Sequence, residues 1–144
     1  MNWHITDGGP EGKGWTGYTW NRSLIHDPQT FLAELHGRNL KVTLNLHPAE
    51  GIQAHEESYS VAAQTLGKDA EHHQRIPFDP TDQPFMNTYF QDVLTPLEQQ
   101  GVDFWWVDWQ QGTKSAAPGV DPLWVLNHFH TLHSMKNGKR PFRS

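Results

Sequence analysis

A chain of 144 residues, 35% of them hydrophobic, can bury one core and is too short for two domains of ordinary size. Its formal net charge of -5, with 11 Lys and Arg that gather into no basic stripe, excludes nucleic acid as the natural partner. The chain has no cysteine and no apolar run of about eighteen residues, so it encodes neither a disulfide framework nor a membrane span, and a cytoplasmic setting is favoured.

The opening MNWHI reads as the end of a strand, followed by TDGGPEGKGWTGYTWN, a Gly-rich loop carrying three aromatics. Asp27-Pro28 then supplies a helix cap with proline in the first turn, and Phe31, Leu32 and Leu35 recur at helical spacing until Gly37. LKVTLNL, residues 40–46, is short, β-branched and bounded by Asn39 and Pro48, which predicts a strand buried on both faces. A polar stretch follows, with a short helix expected in EESYSVAAQTLG. A longer amphipathic helix is expected over 83–100, where Pro96 favours a kink near the end. GVDFWWVDWQQG contains a second buried strand, a Gly/Ala/Pro loop covers 111–120, and a third helix opens at Asp121-Pro122 and closes at Asn137-Gly138. RPF starts a further strand.

Strands alternating with helices at this spacing argue for parallel pairing with right-handed crossovers. The connections leading into the strands, GRN and QQG, are short, whereas the loops leaving them are long and carry unusual residues. That asymmetry fits an α/β architecture with a site at the C-terminal ends of the strands: a partial (β/α)8 TIM barrel, or an open doubly wound sheet. No Gly-rich phosphate fingerprint follows any strand, which disfavours the nucleotide-binding version.

Asp108 is the first residue past the second strand and so reaches the functional end. By position alone an Asp there is a turn former or a helix cap. Between Trp106 and Trp109 it stands where a sugar ring could be held against aromatic faces while a carboxylate approaches the anomeric carbon. The seven tryptophans of the chain suit such flat apolar surfaces. Asp103, at the opposite end of the same strand, reads as a capping residue. His47 and Asn45 close the first strand and are placed to hydrogen-bond a sugar hydroxyl, while Asp7 and Glu50 are loop acids on the same side. Among ten histidines, His72 and His73 and the group His128, His130 and His133 are the metal candidates. No His-Glu-x-x-His or Glu-x-x-His pattern accompanies them, so a solvated helix face is the expected reading, with no metal and no cofactor.

WHITDG, LKVTLNLHP and GVDFWWVDWQQG, in this order, resemble successive strands of the catalytic barrel of glycoside hydrolase family 31, the α-glucosidase and α-xylosidase group. The most specific part is Trp106-x-Asp108. The resemblance implies that Asp108 is the nucleophile of a retaining hydrolysis and that Trp106 lines the pocket for the cleaved sugar. Asn2-Trp3-His4 resembles the end of the family's Asp-x-Asp strand, which binds sugar hydroxyls, with Asn2 where an Asp is usual. Trp109-Gln110-Gln111 stands where many members carry Met-Asn-Glu. Substrate contacts are thus expected from Asn2, Trp3, His4, Asn45, His47, Trp106, Trp109 and Gln110.

The family's general acid/base is an Asp on a later strand, so residues 1–144 are expected to form one fragment of the barrel, about strands 2 to 5, with the rest of the barrel outside this chain and the fragment itself inactive. A non-catalytic carbohydrate-binding piece is the alternative from a different class, and a metal-dependent hydrolase on a similar barrel is a third.

Overall fold

The computed structural model describes residues 16–109 and 115–138. The expected strands at MNWHI and RPF lie outside the described residues. Helix α1, Pro28–Gly37, begins where Asp27 accepts from the Thr30 amide at 3.2 Å and from its hydroxyl at 2.7 Å. Strand β1, Thr43–Leu46, comes after the short connection expected, and helix α2, Tyr59–Thr65, occupies the middle of the EESYSVAAQTLG stretch.

The long helix expected over 83–100 is present in three parts: α3, Gln83–Thr88, a π-helical stretch Tyr89–Leu94, and α4, Thr95–Gln100. Pro96 gives the physical reason. It has no amide proton for the carbonyl four residues back, and its ring crowds that carbonyl, so the preceding turn widens. The Thr95 amide and hydroxyl both bond the Phe90 carbonyl, the hydroxyl at 2.7 Å. Strand β2, Phe104–Val107, follows a tight connection at Gly101, and helix α5, Pro122–Lys136, is capped by Asp121 accepting from the Leu123 amide at 2.9 Å.

β1 and β2 pair in parallel, with Thr43, Leu44, Asn45 and Leu46 opposite Phe104, Trp105, Trp106 and Val107. The ladder is shorter than either apolar run because Asp103 ends it at the N-terminal side. Its carboxylate accepts from the Val42 amide at 2.8 Å and from Lys41 at 3.0 Å, and pairs with His36 at 2.8 Å. Burial opposes the ionised form, yet the Val42 amide, Lys41 and His36 outweigh it and hold the Asp103 carboxyl below its ordinary range. Asp103 is the strand-end cap expected of it.

Alternation along the ladder gives the sheet two unlike faces. Leu44 and Leu46, with Trp105 and Val107, pack against the helices. Asn45 is exposed and Trp106 is 53% exposed on the other face. β1 is therefore buried on one face, where the apolar run predicted two. One core joins the ends of the strands to α2, the π-helical stretch and α5 through Leu46, Tyr59, Tyr89, Phe90 and Leu126. A second joins the strand beginnings to α1 and α4 through Leu32, Leu44, Leu97 and Val102, and Trp105 touches both.

The expected solvated histidine face is corrected for two of its members. His133 is buried, 3.2 Å from Glu98, and the Tyr89 hydroxyl lies 3.0 Å from Nε2 of His130. Helical spacing puts these two residues on one face, but that face packs inward on Phe90, whose ring stacks on His133 at 4.7 Å. Only His128 of the three is exposed. Burial, reinforced by His133, pushes the His130 imidazole down to about 3.

Candidate active site

The parallel ladder carries two residues directly onto its C-terminal edge. His47 follows Leu46 and Asp108 follows Val107, and these strand residues face each other in register. The Asp108 amide donates to the Leu46 carbonyl at 2.8 Å, extending the ladder pattern by one residue. Alternation then places Asp108 on the face of Trp106 and His47 on the face of Asn45, and those two faces are one because Asn45 and Trp106 are partners. The Asn45 side-chain amide lies 3.3 Å from Nε2 of His47. An amide nitrogen only donates, so this contact pairs the Asn45 side chain with the imidazole of His47. His47 is 4% exposed, whereas Asp108 is partly open. The four residues Asn45, His47, Trp106 and Asp108 thus bring together an amide, an imidazole, an aromatic surface and a carboxylate.

Trp109 stands apart from this group. Its ring packs on the main core and lies 5.4 Å from Phe78, where both help wall a cavity of about 370 Å³ with Pro80 and Pro122. The two tryptophans expected to flank Asp108 therefore serve different surfaces: Trp106 remains on the open sheet face and Trp109 joins the packed side. Asn2, Trp3, His4, Asp7 and Gln110 lie outside the described residues. Glu50 is partly buried in a 3-10 turn, Pro48–Glu50, directly after His47.

Residues 16–20 are a part of the site that motif reading missed. Thr16, Tyr18, Thr19 and Trp20 are all buried, and the Thr16 carbonyl accepts the His47 amide at 3.0 Å. Gly17, at φ +89°, lies so close that a Cβ would stand 2.0 Å from the Asn45 carbonyl oxygen. The stretch therefore lies directly on the end of β1. Glu56, whose side chain is fully buried, accepts from the hydroxyls of Thr16 and Thr19. Burial raises the Tyr18 hydroxyl well above its usual range, and Tyr89, Glu56 and Glu50 push it the same way, so it stays neutral. The signal for this burial was the aromatic content of TGYTW. A buried Glu in the polar EES stretch has no counterpart signal, because exposed and buried carboxylates look alike in sequence.

Among the described residues, no group of three or more His, Cys, Asp or Glu is placed to hold a metal ion, and no helix is long and apolar enough to cross a membrane. Comparison with curated proteins finds no match. The family model described as the glycosyl hydrolases family 31 TIM-barrel domain matches residues 2–138, nearly the whole chain. The parallel pair of strands joined through helices is the α/β arrangement from which such a domain is built. The chain belongs to glycosyl hydrolase family 31.

Proposed function

We propose that this chain is part of the catalytic barrel of a retaining α-glycoside hydrolase acting on terminal α-linked sugars, with Asp108 as its nucleophile. The observation that carries the reading is the position of Asp108: first residue past β2, on the edge it shares with His47, in a family 31 chain. In this reading β1 and β2 are neighbouring strands of a (β/α)8 barrel, and the open face bearing Asn45 and Trp106 is turned to its interior.

The Asp108 carboxylate attacks the anomeric carbon while the glycosidic bond breaks, and a second carboxyl group gives its proton to the leaving oxygen. This produces a covalent glycosyl ester on Asp108. Water, deprotonated by the same second group, then displaces the carboxylate and releases the sugar with its original configuration. Trp106 supplies an apolar surface for the ring. The His47 imidazole and the Asn45 amide offer hydrogen bonds to sugar hydroxyls, and Asn2, Trp3, His4 and Gln110 are proposed as further contacts. Trp109 contributes through the cavity it shares with Phe78.

A 5-fluoro-α-glycosyl fluoride tests the assignment, because fluoride departs without protonation and the ring fluorine slows loss of the ester. The expected result is a chain heavier by one fluoroglycosyl group, with the label on the peptide containing Asp108 and none in Asp108→Ala. Labelling of a different carboxylate would remove Asp108 from the role. Saturable glycoside binding with no label in the native chain would favour carbohydrate binding without catalysis.

A further inference from the structure

Glu56 is a buried carboxylate for which the proposed hydrolysis has no direct use. Its two oxygens are divided between two hydroxyls: Thr16 donates to Oε1 and Thr19 to Oε2. The Thr19 oxygen in turn accepts the Glu57 amide at 3.0 Å, which locks the 53–57 turn and the 16–20 stretch together from both sides. Nε2 of His55 lies 3.5 Å from Oε1. A buried carboxylate is costly unless donors surround it, and hydrogen bonds to a charged acceptor are among the stronger ones in proteins.

The clamped stretch is attached to the edge of the sheet at two points. The Thr16 carbonyl holds the His47 amide at 3.0 Å, and Gly17 sits against the Asn45 carbonyl with no room for a side chain. Asn45 and His47 are in turn bonded to each other. A continuous path of contacts therefore runs from the Glu56 carboxylate through Thr16 to the backbone of His47 and its imidazole.

We propose that Glu56 is a positioning residue: by clamping Thr16 and Thr19 it sets where His47 and Asn45 stand at the C-terminal edge, and so determines how tightly that edge binds an α-glycoside. The inference rests on the glycosidase reading for its ligand and on the hydrogen bonds alone for the clamp.

Two measurements on the whole chain test it. Amide exchange of His47, followed by NMR, reports the clamp without ligand, with the Val102 amide, bonded to the Leu97 carbonyl at the other end of the sheet, as internal reference. Titration with a methyl α-glycoside reports affinity. In Glu56→Ala, and in the Thr16→Val/Thr19→Val pair that leaves Glu56 in place, His47 exchange should quicken about tenfold and glycoside Kd rise about tenfold while Val102 stays unchanged. Thr19→Ser, which keeps the hydroxyl, should return both values to within about twofold of the native chain. Equal acceleration at His47 and Val102, or native His47 exchange in the Thr16→Val/Thr19→Val pair, overturns the proposal. Quickened His47 exchange with unchanged affinity in a chain that binds the glycoside also overturns it. A native chain that binds no α-glycoside overturns the glycosidase reading separately, since the exchange measurement needs no ligand.

Discussion

At the scale of single residues, two positions carry costs that can be measured. Gly17 combines φ +89° with a 2.0 Å approach of a would-be Cβ to the Asn45 carbonyl oxygen. Gly17→Ala should therefore destabilise the chain by more than about 2 kcal/mol in urea unfolding, because both the backbone conformation and the contact have to change. His130 gives a pH dependence with a definite sign. Its imidazole is pushed to about 3 in the folded chain against an ordinary 6.5, so the unfolded chain binds the extra proton between those values. The stabilisation is complete above the unfolded value and is lost as pH falls toward 3, by at most about 1.4 kcal/mol per pH unit. Tyr89, His133 and Glu98 face this ring or its neighbours, and the first two contribute no negative charge in acid to offset the loss. Comparing unfolding free energies of the native chain and His130→Phe between pH 7 and 4 isolates the contribution. Parallel curves would show that His130 titrates normally.

At the scale of elements, the two ends of the sheet are held by different means and should fail separately. The N-terminal end depends on Asp103, which satisfies the Val42 amide and pairs with His36 and Lys41. Asp103→Ala leaves the Val42 amide without this acceptor, and should cost about 1–3 kcal/mol in urea unfolding. Because the Asp103 carboxyl is held below its usual range when folded, its contribution is present above the unfolded value and is lost as pH drops through the folded one. The C-terminal end depends on the clamp at Glu56 and on the Asp108 amide bonded to Leu46. Exchange of the Asp108 amide should therefore change less than that of the Asp103 amide, which bonds the Val42 carbonyl, in Asp103→Ala. Uniform acceleration of both would show that the sheet opens as one unit.

For the whole molecule, the decisive separation is between stability and chemistry. Asp108 holds its place in the ladder through its backbone amide, and its side chain is partly open. Asp108→Ala keeps that backbone bond, so the variant should still fold, as a cooperative thermal transition would show. Where the native chain turns over an α-glycosyl fluoride, the same substitution should lower the rate by about three orders of magnitude or more, with glycoside affinity little changed. Azide should then fit the vacated space and restore turnover, giving a glycosyl azide of inverted configuration because a single displacement has occurred. Retention of most of the activity by Asp108→Ala, or native release of sugar with inverted configuration, would exclude a covalent role for Asp108.

Much of the order of elements could be read from local patterns, since caps, proline positions and apolar spacing act over a few residues. Asp27-Pro28 and Asp121-Pro122 marked α1 and α5, and the two short apolar runs with brief connections before them marked the parallel pair. Asp103 could be assigned to the strand's beginning and Asp108 to its end because strand direction is written in the chain itself. Facing, by contrast, depends on what packs across an element. The apolar run over 40–46 could not reveal that Asn45 would share an open face with Trp106, nor could helical spacing tell whether His130 and His133 looked toward solvent or toward Phe90. The separation of Trp106 from Trp109 arose from a ring near Phe78, a residue 31 positions earlier in the chain. Glu56 was the least legible of all. A carboxylate acquires its role only when distant hydroxyls converge on it, and Thr16 and Thr19 reach it from 40 and 37 residues away. Sequence order and the ends of strands are local properties. The burial of a charge, the facing of a ring and the clamp on His47 are decided by long-range contacts, and only the tertiary structure contains those.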